Sequence, residues 1–165
     1  MPTAKQQFLD AYDREHGITM RLLRAYPKDK AELRPDPKLR TARELAWVFA
    51  TECGMGVRVY NDELAKGLSG RPPQAPQSWD EVLSSIEKEH QKFVELVRNA
   101  SDEDLLKKVH FFSGPKTMGE IPRIDVLWFL LSDQIHHRGQ FSIYARIAGG
   151  KVPSIYGPSA DEPWT

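Results

Sequence analysis

Apolar residues recur along this chain at helical spacing in four stretches. Leu9, Tyr12, Met20 and Leu23 make one stripe, and Leu45, Val48, Met55 and Val59 a second. Trp79, Val82, Ile86, Phe93 and Val97 make a third. In the fourth, Val126, Leu130, Phe141, Tyr144 and Ala148 line one side while Ile124, Leu127, Trp128, Leu131, Ile135 and Ala145 occupy much of the opposite side. A helix apolar nearly all round must be covered on more than one side, either as the centre of a bundle or against a second copy of the chain.

Start and stop signals bound these stretches. Thr3 with Gln6, Thr41 with Glu44, Ser78 with Glu81 and Ser101 with Asp104 each fit a capping box or its close variant, in which a hydroxyl accepts from the N3 amide. Pro27, Gly67 and Gly70, Pro72-Pro73, Pro76, Asn99 and Gly149-Gly150 supply the stops. The pattern predicts long helices near 4–26, 41–67, 78–99 and 122–148, with Pro122 in the first turn of the last. It adds a short helix near 101–108, a connection from His110 to Ile121 with Val109 to Phe112 briefly extended, and an extended tail from Lys151 to Thr165. The expected fold is all-α: one domain over 1–165, an antiparallel four-helix bundle with a short extra helix and an extended C-terminal tail.

Composition narrows the function classes. The 165 residues carry 23 Lys+Arg against 23 Asp+Glu, so the counterion release that drives nucleic-acid binding has no charge excess behind it. The one cysteine, Cys53, excludes an intramolecular disulfide framework and any cysteine-only zinc site. Cys53 also has no basic neighbour in sequence to lower its pKa, which argues against a catalytic thiolate. Met1 to Asp10 lack the apolar core of a signal peptide, and the most apolar run, Ile124 to Leu131, falls short of the ~20 residues that span a bilayer. A cytoplasmic protein with no membrane and no nucleic-acid partner is the expectation.

Candidate chemistry comes from polar residues placed where the periodicity calls for apolar ones. Asp133 and His137 occupy adjacent turns of the stripe that holds Leu130, Phe141 and Tyr144. Glu52 lies between Val48, Met55 and Val59, His16 between Tyr12, Met20 and Leu23, and His90 one turn beyond Ile86. Buried carboxylates and imidazoles are costly unless paired or metal-bound. Two readings fit: a divalent-metal site built by Asp133, His137 and either Glu52 or His16, or hydrogen-bonded pairs that order the core. Oxygen and nitrogen donors without thiolate suit zinc, nickel, iron or manganese.

The segment Asp133-Gln-Ile-His-His-Arg-Gly-Gln-Phe-Ser-Ile-Tyr-Ala-Arg146 and the tail motif Val152-Pro-Ser-Ile-Tyr-Gly157 resemble the DinB/YfiT-like family of small bacterial metal-binding bundles, which shares only a name with a DNA polymerase. Glu15 and Thr19 in the first helix, Arg34-Pro35, and Glu44-Leu-Ala-Trp47 match the same layout. The resemblance implies a bundle, often dimeric, with a divalent metal held by three histidines, one from the second helix and two from the last. His137, before Arg138-Gly139-Gln140, matches the final ligand. Asp133 stands where the family usually has histidine, and the second-helix ligand falls at or beside Val48. Glu52 or His16 is the available replacement.

By the same resemblance, the expected activity is that of a metal-dependent, thiol-linked transferase or hydrolase acting on a small molecule. Its cofactors would be a divalent metal and a low-molecular-weight thiol, with Tyr144 and Arg138 orienting substrate. The alternative is a non-catalytic, stress-associated homodimer whose polar core is structural and binds no metal.

Overall fold

The computed structural model describes residues 1–67 and 73–165. Five α-helices are present among them: α1 (Ala4–Arg24), α2 (Ala42–Tyr60), α3 (Trp79–Asn99), the short α4 (Asp102–Leu106) and α5 (Arg123–Ile147). The hydroxyls of Thr3, Thr41, Ser78 and Ser101 all accept from the third amide of the helix they open, and Thr41–Glu44 and Ser101–Asp104 close complete capping boxes. At the far end of α5, Gly149 takes φ 78° while its amide and that of Gly150 bond to the carbonyls of Arg146 and Ala145. That Schellman arrangement needs a residue tolerant of positive φ, which explains the glycine.

α1 and α2 each pack on both α3 and α5. α1 and α2 also meet across the interior, where the Tyr12 hydroxyl lies 3.1 Å from Cys53 Sγ. α5 is covered on several sides: Phe141, Tyr144 and Ala145 join Leu22, Leu45 and Val82, while Leu127 and Leu131 join Phe8, Tyr12 and Phe93. Ile143 and Ile147 remain exposed on its outer side. No helix among the described residues is long and apolar enough to cross a membrane.

The all-α expectation is corrected by an antiparallel hairpin, β1 (Lys108–Gly114) and β2 (Thr117–Pro122). The anticipated extended segment at Val109 to Phe112 is the middle of β1, but its partner was unforeseen. Thr117-Met-Gly-Glu-Ile-Pro has no clear apolar alternation, because the inward side chains come mainly from β1, at Val109 and Phe111, with only the half-buried Ile121 added from β2. These two pack with Val59, Leu64, Val126 and Leu130, which sets the hairpin against α2 and α5. Pro122 caps α5 at the end of β2 and does not lie within its first turn.

α2 is shorter than its pattern suggests. It stops at Tyr60 because Asp62 adopts a left-handed φ of 53° and turns its carboxylate to the His110 amide on β1, 2.7 Å away. A 3-10 turn at Glu63–Lys66 replaces the expected last helical turn, while the stop signals Gly70 and Pro72 lie outside the described residues. The tail has no regular secondary structure, yet it is folded back and not extended. The Val152 amide bonds to Asp161, the Ser154 amide to Glu162 and the Trp164 indole N–H to the Ser154 hydroxyl, all at 2.7–2.8 Å.

Candidate metal centre

Glu52 lies seven residues from both Leu45 and Val59, and His137 seven from both Leu130 and Tyr144; all four neighbours are buried. Seven residues are nearly two helical turns, so both side chains point along buried stripes into the seam between α2 and α5. Asp133 precedes His137 by one turn. His137 Nε2 lies 3.3 Å from Glu52 Oε1 and 3.7 Å from Asp133 Oδ2, and the three candidate donor atoms fall within 4.8 Å of one another. Donors sharing one ion at about 2.0–2.2 Å sit roughly 3–3.5 Å apart, so modest side-chain adjustment would close this set around a cation.

The electrostatics of Glu52 favour a cation. Its side chain is 10 % exposed, and Oε2 is buried without a hydrogen-bond partner. Burial, followed by the charge of Asp133, pushes its carboxyl up to about 9, against a small opposing pull from Arg40. Without a cation this acid keeps its proton at neutral pH; with one it is a ligand. An unpartnered buried oxygen beside a second carboxylate and an imidazole fits a divalent ion of the hard or borderline class.

Gln140 orients the imidazole. Its Nε2 is 2.9 Å from His136 Nε2, which accepts from it, and its Oε1 is 3.2 Å from His137 Nδ1, which donates. In this amide orientation the His137 proton sits on Nδ1 and the Nε2 lone pair faces the carboxylates, the outer support that metal-binding histidines usually have.

Two cavities border the cluster. One, of about 900 Å³, is lined by His137, Gln140 and Tyr144 together with cations from the connection before α2 and its first turn. The other, of about 880 Å³, is lined by Glu52 and Asp133 and walled by Met55, Phe111, Phe112 and Phe129. Trp47 lines both.

The other anticipated site residues are placed elsewhere. His16 stacks on His90, their ring centroids 3.6 Å apart, and is not among the three clustered donors. Arg138 is 1 % exposed and its guanidinium is taken up by Glu15 Oε2 at 2.7 Å, the Glu15 carbonyl, the Thr19 hydroxyl and the Tyr156 hydroxyl. Burial raises the Glu15 carboxyl, but the Tyr156 hydroxyl and then Arg138 outweigh it and hold it below its ordinary value. Arg138 thus ties α1 to the tail. Tyr144 lines the first cavity, and its hydroxyl donates to the Arg40 carbonyl at 2.8 Å. Cys53 is buried, and burial pushes its thiol up to about 12, so it stays protonated. Gln140 and Arg40 were not singled out by periodicity, since Gln140 is exposed and Arg40 is outside any helix. Only the short motif His137-Arg-Gly-Gln140 pointed to the first of them.

A family model described as the DinB family matches residues 1–164. The chain belongs to the DinB family. It is 26% identical to the uncharacterized protein YrdA of Bacillus subtilis strain 168 over 156 residues, 94% of this chain and 89% of YrdA. Among solved structures it is similar to a DinB-like protein from Bacillus cereus ATCC 10987, with a TM-score of 0.72, 25% identity, and coverage of 90% of this chain and 95% of that one. The DinB-like protein YjoA of Bacillus subtilis superimposes with a TM-score of 0.68 at 15% identity, over 88% of this chain and 94% of YjoA. That second likeness speaks to the fold alone.

Proposed function

We propose that Glu52, Asp133 and His137 bind a divalent cation and that the protein uses it in a thiol-linked transfer or hydrolysis on a small molecule, on a scaffold of α1, α2, α3 and α5 arranged as a four-helix bundle. The observation that carries the reading is the convergence of these three donors with the buried, unpartnered Oε2 of Glu52. Such an ion brings a bound thiol or water to the point of deprotonation near neutral pH. The thiol must come from a second molecule, because Cys53 is buried and protonated. Glu52 and Asp133 supply the negative charge that retains the ion, and Gln140 keeps His137 in the ligating tautomer. Zinc, nickel, iron and manganese all tolerate this donor set.

A homodimer inside the cell is part of the same reading, supported by the exposed Ile143 and Ile147 on α5. The test is elemental analysis and thermal unfolding of protein purified without chelator or nickel resin, with and without added Mn²⁺, Zn²⁺, Ni²⁺ or Fe²⁺. A ligand that binds only the native state raises its Tm. An upward shift that disappears in Glu52→Gln and His137→Ala supports the reading. No bound ion and no shift would leave the alternative, a non-catalytic dimer in which protonated Glu52, Asp133 and His137 form a structural hydrogen-bonded group.

A further inference from the structure

The cavity on the His137 side of the cluster has a local charge at odds with the balanced chain. Arg34, Lys38, Arg40 and Arg43 line it, against the single carboxylate of Glu44. Two of the four cations are spent on the protein itself. Arg34 donates to the Leu39 carbonyl at 2.9 Å and to Glu44 at 3.2 Å, while Arg43 donates to Glu32 at 2.6 Å and to the carbonyls of Ala75 and Pro76.

The other two are not. Among the described residues, neither the Arg40 guanidinium nor the Lys38 ammonium has a hydrogen-bond or ion-pair partner. Unpaired surface cations are ordinary, but the placement of Arg40 is not. The buried Tyr144, on the same face of α5 as His137, donates to the Arg40 carbonyl, and Arg34 grips the preceding carbonyl of Leu39. The backbone that carries Arg40 is thus held at the wall of the cavity while its side chain is left for another partner. Guanidinium forks pair with carboxylates and phosphates through two parallel hydrogen bonds, and cations gathered in a concave wall concentrate anions there.

We infer that this cavity binds an anionic small molecule, its carboxylate or phosphate pairing with Arg40 and Lys38 while its remaining part extends to the His137 side of the cluster. This names the charge class of one substrate for the proposed metal-dependent reaction and, as a statement about that reaction, rests on the metal reading. The opposite cavity has the wrong balance for such a charge, since its carboxylates Glu52, Glu89 and Asp133 outnumber its cations Arg58 and Lys88, beside aromatic rings from β1 and α5.

The experiment is calorimetric titration of the full chain with succinate, inorganic phosphate and uncharged succinamide, each with and without Mn²⁺. Saturable binding of succinate or of phosphate, none of succinamide, and a loss of about tenfold or more in affinity in Arg40→Gln support the inference. Whichever of the two anions binds identifies the source of the charge. Arg40→Lys retains part of the affinity, which separates lost charge from a disturbed fold. Binding of neither anion, or equal binding by wild type and Arg40→Gln at unchanged Tm, overturns it. The metal reading has its own readout: Mn²⁺ alone raising Tm in wild type and in Arg40→Gln, and not in His137→Ala. Anion binding without a Mn²⁺ shift would therefore sink the metal reading and leave the anion site standing.

Discussion

Gln140 lies one turn beyond His137 on α5, and its Oε1 is 3.2 Å from His137 Nδ1. The same amide reaches back to His136, and in this orientation it places the His137 proton on Nδ1 from outside the seam. Gln140→Leu should therefore weaken divalent-metal binding by about 10–100-fold while leaving the metal-free Tm nearly unchanged, because Gln140 is exposed. Metal titration followed by thermal shift measures both. An unchanged metal affinity would mean that His137 does not ligate through Nε2.

Arg138 and Glu15 make a buried ion pair, with 2 % and 6 % of their side chains exposed. Removing one partner strands the other. Arg138→Met should cost about 3–5 kcal/mol in urea unfolding, and the double change with Glu15→Gln should cost less than Arg138→Met alone. Tyr156→Phe removes a hydroxyl that donates to Glu15 at 2.6 Å and should cost about 1–2 kcal/mol while exposing the tail to protease. If Arg138 instead served only to orient substrate, these variants would keep wild-type stability.

The two glycines of α2 should respond oppositely. A Cβ on Gly56 would stand 2.7 Å from the Phe93 ring on α3, whereas one on Gly54 would meet nothing within 4 Å. Gly56→Ala should destabilise by about 1–3 kcal/mol through overpacking. Gly54→Ala should stabilise by roughly 0.5–1 kcal/mol, as an unobstructed helix-interior exchange does. Paired denaturation curves test the contrast.

Helices were legible here because burial and capping repeat with one period. Tyr12, Leu23, Val82, Phe93 and Val97 are all nearly fully buried, as their spacing requires. The hairpin was only half legible, since Val109 and Phe111 alternate on β1 while β2 takes its register from pairing. Glu52, Asp133 and His137 could be read as polar intruders on apolar stripes, each an isolated exception to a rule. Periodicity does not say which intruders meet. His16 and His90 are equivalent to them in the pattern, yet helix packing stacks those two on each other and brings His90 to Asp13. Arg40 broke no pattern at all, because a residue in a connection has no periodic position to violate.

His16 and His90 make the pH response predictable. Burial first, then repulsion from His90 on α3 whenever that ring is protonated and from Arg24 on its own helix, lower the His16 pKa from 6.5 to about 3. Burial also lowers His90, although Asp13, 3.0 Å from its Nε2, pulls the other way. Both imidazoles are thus neutral in the folded protein and protonate more readily in the unfolded chain. The unfolded state binds more protons below pH 6.5, so the stability contributed by neutral His16 is complete above that pH and is lost as pH falls toward 3. With allowance for its part exposure, His16 should account for about 2 kcal/mol of the loss between pH 6.5 and 4. Carboxylates titrate at the lower end of this range, so the measurement is the difference between wild type and His16→Phe in urea unfolding at each pH. The variant should stay flatter across the interval while retaining the stack on His90. Parallel curves for the two proteins would show that His16 already accepts its proton in the folded state.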